Sequence, residues 1–301
     1  MLAIETKGLT KRFNGKTVVD QLDLQVPKGT VFGFLGPNGA GKTTTIRMLM
    51  GFALPSGGSA RILDQAADKA REKVGFVPDV PAFYPWMEKE EYLRFSGNLL
   101  GLGGTSLEKR IGELLEMAGL SGVTPRIGGF SRGMKQRLGL AQALINHPEL
   151  VILDEPTSAL DPVGRKEVLE MIARFSGQTT VFFSTHILSD VERVADRVGI
   201  LHQGRLILED SLVSLKESYV QPRLVLTVTQ PWDQLEAALD STPWISEWDR
   251  EENRFILTVQ ELEVAYHRLP SLLSQMDTGI KSLEVSGPTL EEVFVKLVTE
   301  T

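Results

Sequence analysis

Cysteine is absent from all 301 residues, so the chain can build neither a disulfide framework nor a thiolate metal site, and it suits a reducing compartment. Long apolar runs are missing too: none approaches the roughly 18 residues that span a bilayer, and the start, Met1-Leu-Ala-Ile-Glu-Thr-Lys7, lacks the basic-then-apolar order of a signal peptide. The expectation is a cytoplasmic chain that reaches a membrane only through a partner. Basic charge is not in excess. With 32 Lys+Arg against 39 Asp+Glu the net charge is -7, which argues against a general nucleic-acid binder. No internal repeat and no low-complexity tract stands out. What remains is ordinary globular material, 42% hydrophobic and 24% charged, with a mean hydropathy of -0.04, which excludes disorder and fibre. At about 150 residues per domain, the length predicts two domains.

Charge and pattern place the boundary. Residues 220–301 carry 6 Lys/Arg and 14 Asp/Glu, a balance of -8, which leaves the rest at +1. Gln221 and Pro222 punctuate the change, so the expected domains are 1–218 and 219–301. In the first, short β-rich runs at 2–5, 17–19 and 22–26 predict an antiparallel layer. Continuous apolar runs at 30–35, 150–153 and 180–183, each leading into a helical pattern, predict a parallel α/β sheet. Two amphipathic helices between 88 and 119, split by glycines at 101–104, form a helical insert, and Gln203-Gly204 reads as a hairpin turn. The tail reads strand 223–229, helix 231–239, strands 244–249 and 254–260, helix 261–273, strand 280–285 and helix 289–297, a small α+β domain.

Chemistry concentrates in the first domain. Gly36, Pro37, Asn38, Gly39, Ala40, Gly41, Lys42 and Thr43 match G-x-x-x-x-G-K-[ST] between a strand and a helix, and Thr44 follows. Glycines at this spacing let backbone N–H groups curl around phosphate oxygens. The Lys42 ammonium can reach the β/γ-phosphates, and the Thr43 hydroxyl can ligate Mg²⁺. Downstream, Asp154 and Glu155 close the apolar strand 150–153. The first acid can hold Mg²⁺ through water and the second can polarise an attacking water, a pairing that points to hydrolysis.

Phe130-Ser131-Arg132-Gly133-Met134 opens a helix whose N-cap is Ser131, and it resembles the signature motif of the ATP-binding cassette (ABC) ATPases. Phe130, Arg132 and Met134 depart from the common Leu-Ser-Gly-Gly-Gln form. Arg132 sets a cation against the helix dipole, and reads either as compensated by a nearby phosphate or carboxylate or as a solvated surface arginine. Other matches fall in family order: Ser158-Ala-Leu-Asp161 resembles the D-loop, His186 the switch histidine, Phe13 the aromatic that stacks on adenine, its other reading being a core residue, and Asp79 stands where the lid loop usually carries Gln. The resemblance implies a P-loop NTPase fold with a RecA-like parallel core, an antiparallel β-layer and a helical subdomain at about 80–145. It also implies ATP and Mg²⁺ as cofactors, with Thr43, Asp154 and Asp79 toward the metal and Glu155, His186 and Lys42 in catalysis. Ser131 and Gly133 then contact nucleotide held by an opposite subunit, so a homodimer or paired cassette is expected. Hydrolysis would drive a separate membrane permease from the inner face of the cell membrane.

The apolar segment 80–86 could line a groove for a partner helix or serve as subdomain core. The small C-terminal domain, ending in 287–296, looks like the accessory domain of bacterial exporter-type cassettes. Rival readings are a soluble cassette ATPase without a membrane partner and a nucleotide-gated regulatory module. The first lacks the coiled coils or second cassette that such members carry, and an intact Glu155 and His186 oppose the second. Trp232, Trp244 and Trp248 are read as tail core, and His147, His202 and His267 as solvent-facing.

Overall fold

A computed structural model describes residues 1–67, 69–218, 223–229, 233–276, 278–286, 290, 291 and 294. The chain divides into two compact units, Met1–Leu212 and Val213–Thr301. The division falls after the first residue of helix Leu212–Ser218, whose Leu212 N–H is tied to the first unit by donating to the Asp196 carbonyl at 3.0 Å.

In the first unit the element order is β1 (Leu2–Phe13), β2 (Lys16–Pro27), β3 (Val31–Leu35), α1 (Lys42–Leu49), β4 (Gly57–Ile62), β5 (Gln65–Ala66) and β6 (Val74–Val77). It continues through α2 (Lys89–Leu99), α3 (Gly104–Met117), α4 (Arg132–Ala143), β7 (Leu150–Asp154), α5 (Pro162–Phe175) and β8 (Thr180–Thr185). Then come α6 (Leu188–Val194), β9 (Arg197–His202) and β10 (Arg205–Ser211). Six strands form a sheet in the order β10-β9-β3-β8-β7-β6, parallel except for the terminal hairpin. Strands β3, β7 and β8 are buried along their whole length, which is why their sequences read as unbroken apolar runs rather than alternations.

A second sheet, β2-β1-β4-β5, is antiparallel. Strands β1 and β2 extend well beyond the short runs expected at 2–5, 17–19 and 22–26. Gly8, at φ +55, and register shifts between Thr6 and Leu9 let β1 bend past its glycine without ending. The core lies between these layers, where Leu22, Leu24 and Val26 meet Phe32, Phe34, Ile46, Leu49 and Phe182. Helices α2 and α3 occupy the expected insert. Strands β4 and β6 were not foreseen, since Gly57–Ile62 is mostly exposed and Val74–Val77 is short.

The second unit carries α7 (Leu212–Ser218), β11 (Arg223–Val228), α8 (Asp233–Asp240), β12 (Ile245–Glu251), β13 (Arg254–Val259), α9 (Leu262–Ser274) and β14 (Ile280–Ser286). Its antiparallel sheet, β12-β13-β11-β14, packs Leu224, Leu226, Phe255 and Leu257 against Leu235, Leu239, Leu269 and Leu273 of α8 and α9. Trp244 is buried in this core and Trp248 packs on it, as expected; Trp232 lies outside the described residues. Of the helix expected at 289–297, only Leu290, Glu291 and Phe294 are described, all helical, and the rest of 287–296 lies outside.

Candidate functional site

Strand β3 delivers the chain into the glycine loop, and α1 begins at Lys42. Gly41 caps that helix at φ +110 and Gly39 turns at φ +81, both in the left-handed region that glycine enters without strain. Gly36 is required for space: a Cβ there would lie 2.3 Å from the Leu201 carbonyl oxygen of β9. The Gly204 N–H donates to the Ala40 carbonyl at 3.0 Å, so the β9–β10 hairpin holds the back of the loop. Gln203 and Gly204, at φ 46 and 84, form the expected turn.

Lys42 is buried to 5% exposure, and its ammonium is fully engaged. It donates to the Gly36 carbonyl at 2.7 Å and the Pro37 carbonyl at 3.2 Å, and pairs with Glu155 Oε1 at 3.1 Å. The other Glu155 oxygen, Oε2, lies 2.9 Å from His186 Nδ1. Glu155 sits at φ 49, a left-handed conformation unusual for a side-chain-bearing residue, and its N–H donates to Ser184 Oγ at 3.0 Å. The end of β7 therefore turns sharply and aims the carboxylate across the loop.

One residue earlier, Asp154 Oδ1 accepts from Ser184 Oγ at 2.8 Å and from Thr43 Oγ1 at 3.1 Å. Burial pushes the Asp154 carboxyl above the ordinary aspartate range; those two hydrogen bonds oppose the shift, while the neighbouring charges of Glu155 and Asp79 add to it. A cation beside it would reverse that cost. Hydroxyl and carboxylate oxygens are the hard donors that Mg²⁺ takes. Among the described residues no group of three or more His, Cys, Asp or Glu could hold a metal. Thr43 Oγ1 and Asp154 Oδ1, 3.1 Å apart, present two such oxygen donors side by side.

A pocket of about 350 Å³ opens over these groups, lined by Val18, Asn38, Gly39, Gly41, Lys42, Thr43, Thr44, Asp79, Glu155, Ser158 and His186. The structure thus brings together residues from five separate stretches of sequence. Phe13 is not among the lining residues, but at 48% exposure it is no core residue, and Lys11 Nζ lies 4.9 Å from its ring centroid. Ser131 and Gly133 stand at the start of α4, also outside the lining. Ser131 Oγ accepts from the Met134 N–H at 3.2 Å, the expected N-cap. Arg132 finds its compensating carboxylate in Asp79, at 3.4 Å.

Sequence reasoning missed Ser184, whose hydroxyl serves both Asp154 and Glu155; its only signal was a polar residue ending an apolar run. It also misjudged His202, which is half-buried with a buried Nδ1, since the β9–β10 hairpin folds it inward; His147 and His267 are exposed, as expected. A second pocket, about 480 Å³, is lined by Phe76, Phe83, Tyr84, Tyr92 and Phe95, among others. Val80 and Trp86 beside it are 70% and 61% exposed, so the 80–86 segment is a surface feature rather than core.

Residues 19–158 match the family profile described as ABC transporter. The chain is 38% identical over 300 residues, 99% of both chains, to the uncharacterized ABC transporter ATP-binding protein YxlF of Bacillus subtilis. It is 35% identical over 311 residues to the bacitracin transport ATP-binding protein BcrA of Bacillus licheniformis, covering 98% of this chain and 97% of that one. A solved structure of an ATP-binding subunit of an ABC transporter superposes with a TM-score of 0.65 at 31% identity, covering 73% of this chain and 93% of that chain.

Proposed function

Because this chain belongs to the ABC transporter ATP-binding proteins and is an ATPase subunit of that family, we propose that the pocket over Lys42 and Glu155 hydrolyses ATP to drive export through a separate membrane permease. The observation that carries the site assignment is the placement of Glu155 between Lys42, at 3.1 Å, and His186, at 2.9 Å.

Phosphate entering the loop competes for Lys42, which lets go of Glu155 and the Gly36 and Pro37 carbonyls. Backbone N–H groups from Gly39 to Thr44 receive the phosphates at the start of α1. Glu155, freed, orients and deprotonates the attacking water, and His186 Nδ1 holds the carboxylate in line. Thr43 and Asp154 would hold Mg²⁺, which would supply positive charge against the phosphates. Asp79 lines the same pocket. Phe13, half-exposed at the end of β1, offers its ring to adenine.

Ser131 and Gly133 stand outside their own pocket, which supports the expected arrangement in which they meet nucleotide on a second cassette. Among the described residues no helix is long and apolar enough to cross a membrane. The aromatic pocket at Phe83, Tyr84 and Phe95 supplies a surface for the permease, from the inner face of the membrane. Export is favoured by the full-length similarity to the bacitracin transport protein. Residues 1–218 form the motor in this reading and 219–301 an accessory domain.

The test is Glu155→Gln, followed by light scattering after size exclusion with and without Mg-ATP, beside steady-state ATPase assays. The expected result is an ATP-dependent dimer of the variant with turnover reduced at least about 1000-fold. A variant that stays monomeric, beside a parent that does not turn over ATP, would put the regulatory-module reading first.

A further inference from the structure

Two departures from the common family pattern meet each other in space. Asp79, on the loop after β6, lines the nucleotide pocket, and Arg132, the first residue of α4, stands beside the helix N-cap. They are 53 residues apart in sequence, and Arg132 Nη2 donates to Asp79 Oδ1 at 3.4 Å. Each side chain is about half-exposed, at 46% and 47%. Arg132 is poorly placed on electrostatic grounds alone, since its charge faces the positive end of α4 and the first turn of that helix contains no acid. Asp79 is poorly placed as well, because its charge adds to those of Glu155 and the buried Asp154. Each therefore relieves a local penalty of the other, and the pair joins the pocket wall to the signature helix.

We propose that Asp79 and Arg132 form a charge-gated link through which the contents of the nucleotide pocket set the position of the α4 N-terminus, with Arg132 as a positioning residue. This rests on the assignment of the pocket to nucleotide. The Arg132–Asp79 contact ties α4 to the loop after β6. When nucleotide and its cation enter, the Asp79 carboxylate gains a competing positive partner and the tie to Arg132 loosens. The freed guanidinium, beside Ser131 and Gly133, then presents a cation where α4 can meet an anion. A half-exposed pair of this kind is weak and breaks readily, as a switching contact must.

The experiment is hydrogen exchange at the backbone amides of Gly133, Met134 and Lys135 in the full chain, with and without a magnesium-bound non-hydrolysable ATP analogue. Protein is kept dilute enough that light scattering reports a monomer. The parent should show faster exchange at these amides when the analogue is bound, by about two- to fivefold. In Asp79→Asn and in Arg132→Gln that response should vanish, and the double variant should look like either single one. Arg132→Lys, which keeps the cation, should restore part of it. Persistence of the full response in both single variants overturns the link, as does multiplication of independent effects in the double variant. Because the readout needs binding and no turnover, a parent that binds the analogue but does not hydrolyse ATP would sink the enzymatic proposal while leaving this one standing. A parent that fails to bind the analogue, measured separately by calorimetry, sinks both.

Discussion

At the scale of single residues, the glycine loop shows two physical reasons for the same amino acid. Gly39 has open space where a Cβ would point but holds φ +81, whereas Gly36 has ordinary backbone and no room. A left-handed alanine costs about 1–2 kcal/mol, so Gly39→Ala should lower stability by that amount and weaken nucleotide binding modestly. Gly36→Ala pushes against the Leu201 carbonyl, which cannot swing aside as a flexible side chain could. It should cost about 2–3 kcal/mol or more and reduce nucleotide affinity more than tenfold, by displacing the loop from the β9–β10 hairpin. Thermal melts and analogue titrations of both variants check the order; equal effects would refute it. Glu209 makes a pH prediction. Burial raises its pKa, and the Gln25 N–H it accepts, at 3.1 Å, and Arg197 only partly oppose this. The folded chain therefore binds a proton that the unfolded chain has already released just above the ordinary glutamate range. Its contribution to stability falls as pH rises through that window. Relative to Glu209→Gln, the parent should lose melting temperature between pH 4 and pH 7. A parent that gains over that range contradicts the burial argument.

Among elements, what could be read from the sequence was whatever has one strong local cause. Strands β3, β7 and β8 are buried on both faces and so lack polar interruption, and the loop before α1 needs glycines at fixed steps. Gly39, Gly41, Lys42, Thr43 and Glu155 of the pocket lining were legible this way, whereas Asp79, Ser158 and His186 were singled out only through the family resemblance. What could not be read depends on partners far along the chain. Ser184 matters because β8 lies beside β7, and β6 forms because β7 offers it an edge. Asp190 is the clearest case: an acid in the helical stretch Leu188–Val194 reads as solvated, yet it is fully buried. It accepts from Thr157 Oγ1 at 2.5 Å and Arg165 Nε at 2.5 Å, tying the loop after β7 and helix α5 to α6. Removing one member of such a pair leaves a buried charge or an orphaned donor. Asp190→Ala leaves the Thr157 hydroxyl orphaned and Arg165, a third exposed, without its carboxylate, and should destabilise the unit by about 2–3 kcal/mol. His186 stands just ahead of α6, so turnover should fall further than nucleotide affinity does. A denaturant series with kcat and KM measured separately tests this; a loss confined to KM would show that α6 does not hold the histidine.

For the whole molecule, the two units differ in what holds them and in what they can bind. Met1–Leu212 has its core between a parallel and an antiparallel sheet and contains every residue of the candidate site. Val213–Thr301 has a separate core of one sheet and two helices, around Phe255 and Leu257. Each core buries large aliphatic and aromatic side chains of its own, the condition for cooperative unfolding of each unit by itself. The proposed nucleotide pocket lies in the first. A ligand at 100 times its dissociation constant adds about 2.7 kcal/mol to the state that binds it, which is about 5–10 °C for a unit of this size. Scanning calorimetry of the full chain should therefore resolve two transitions. A magnesium-bound non-hydrolysable analogue should move one upward by that amount and leave the other where it was. The Asp190→Ala variant identifies them independently, since it should lower the transition that nucleotide raises and leave its neighbour alone. If the analogue raises both transitions together, or if a single transition carries the full enthalpy, binding at the glycine loop is felt by the acidic tail, and the tail is part of the motor's cooperative unit rather than a separate one.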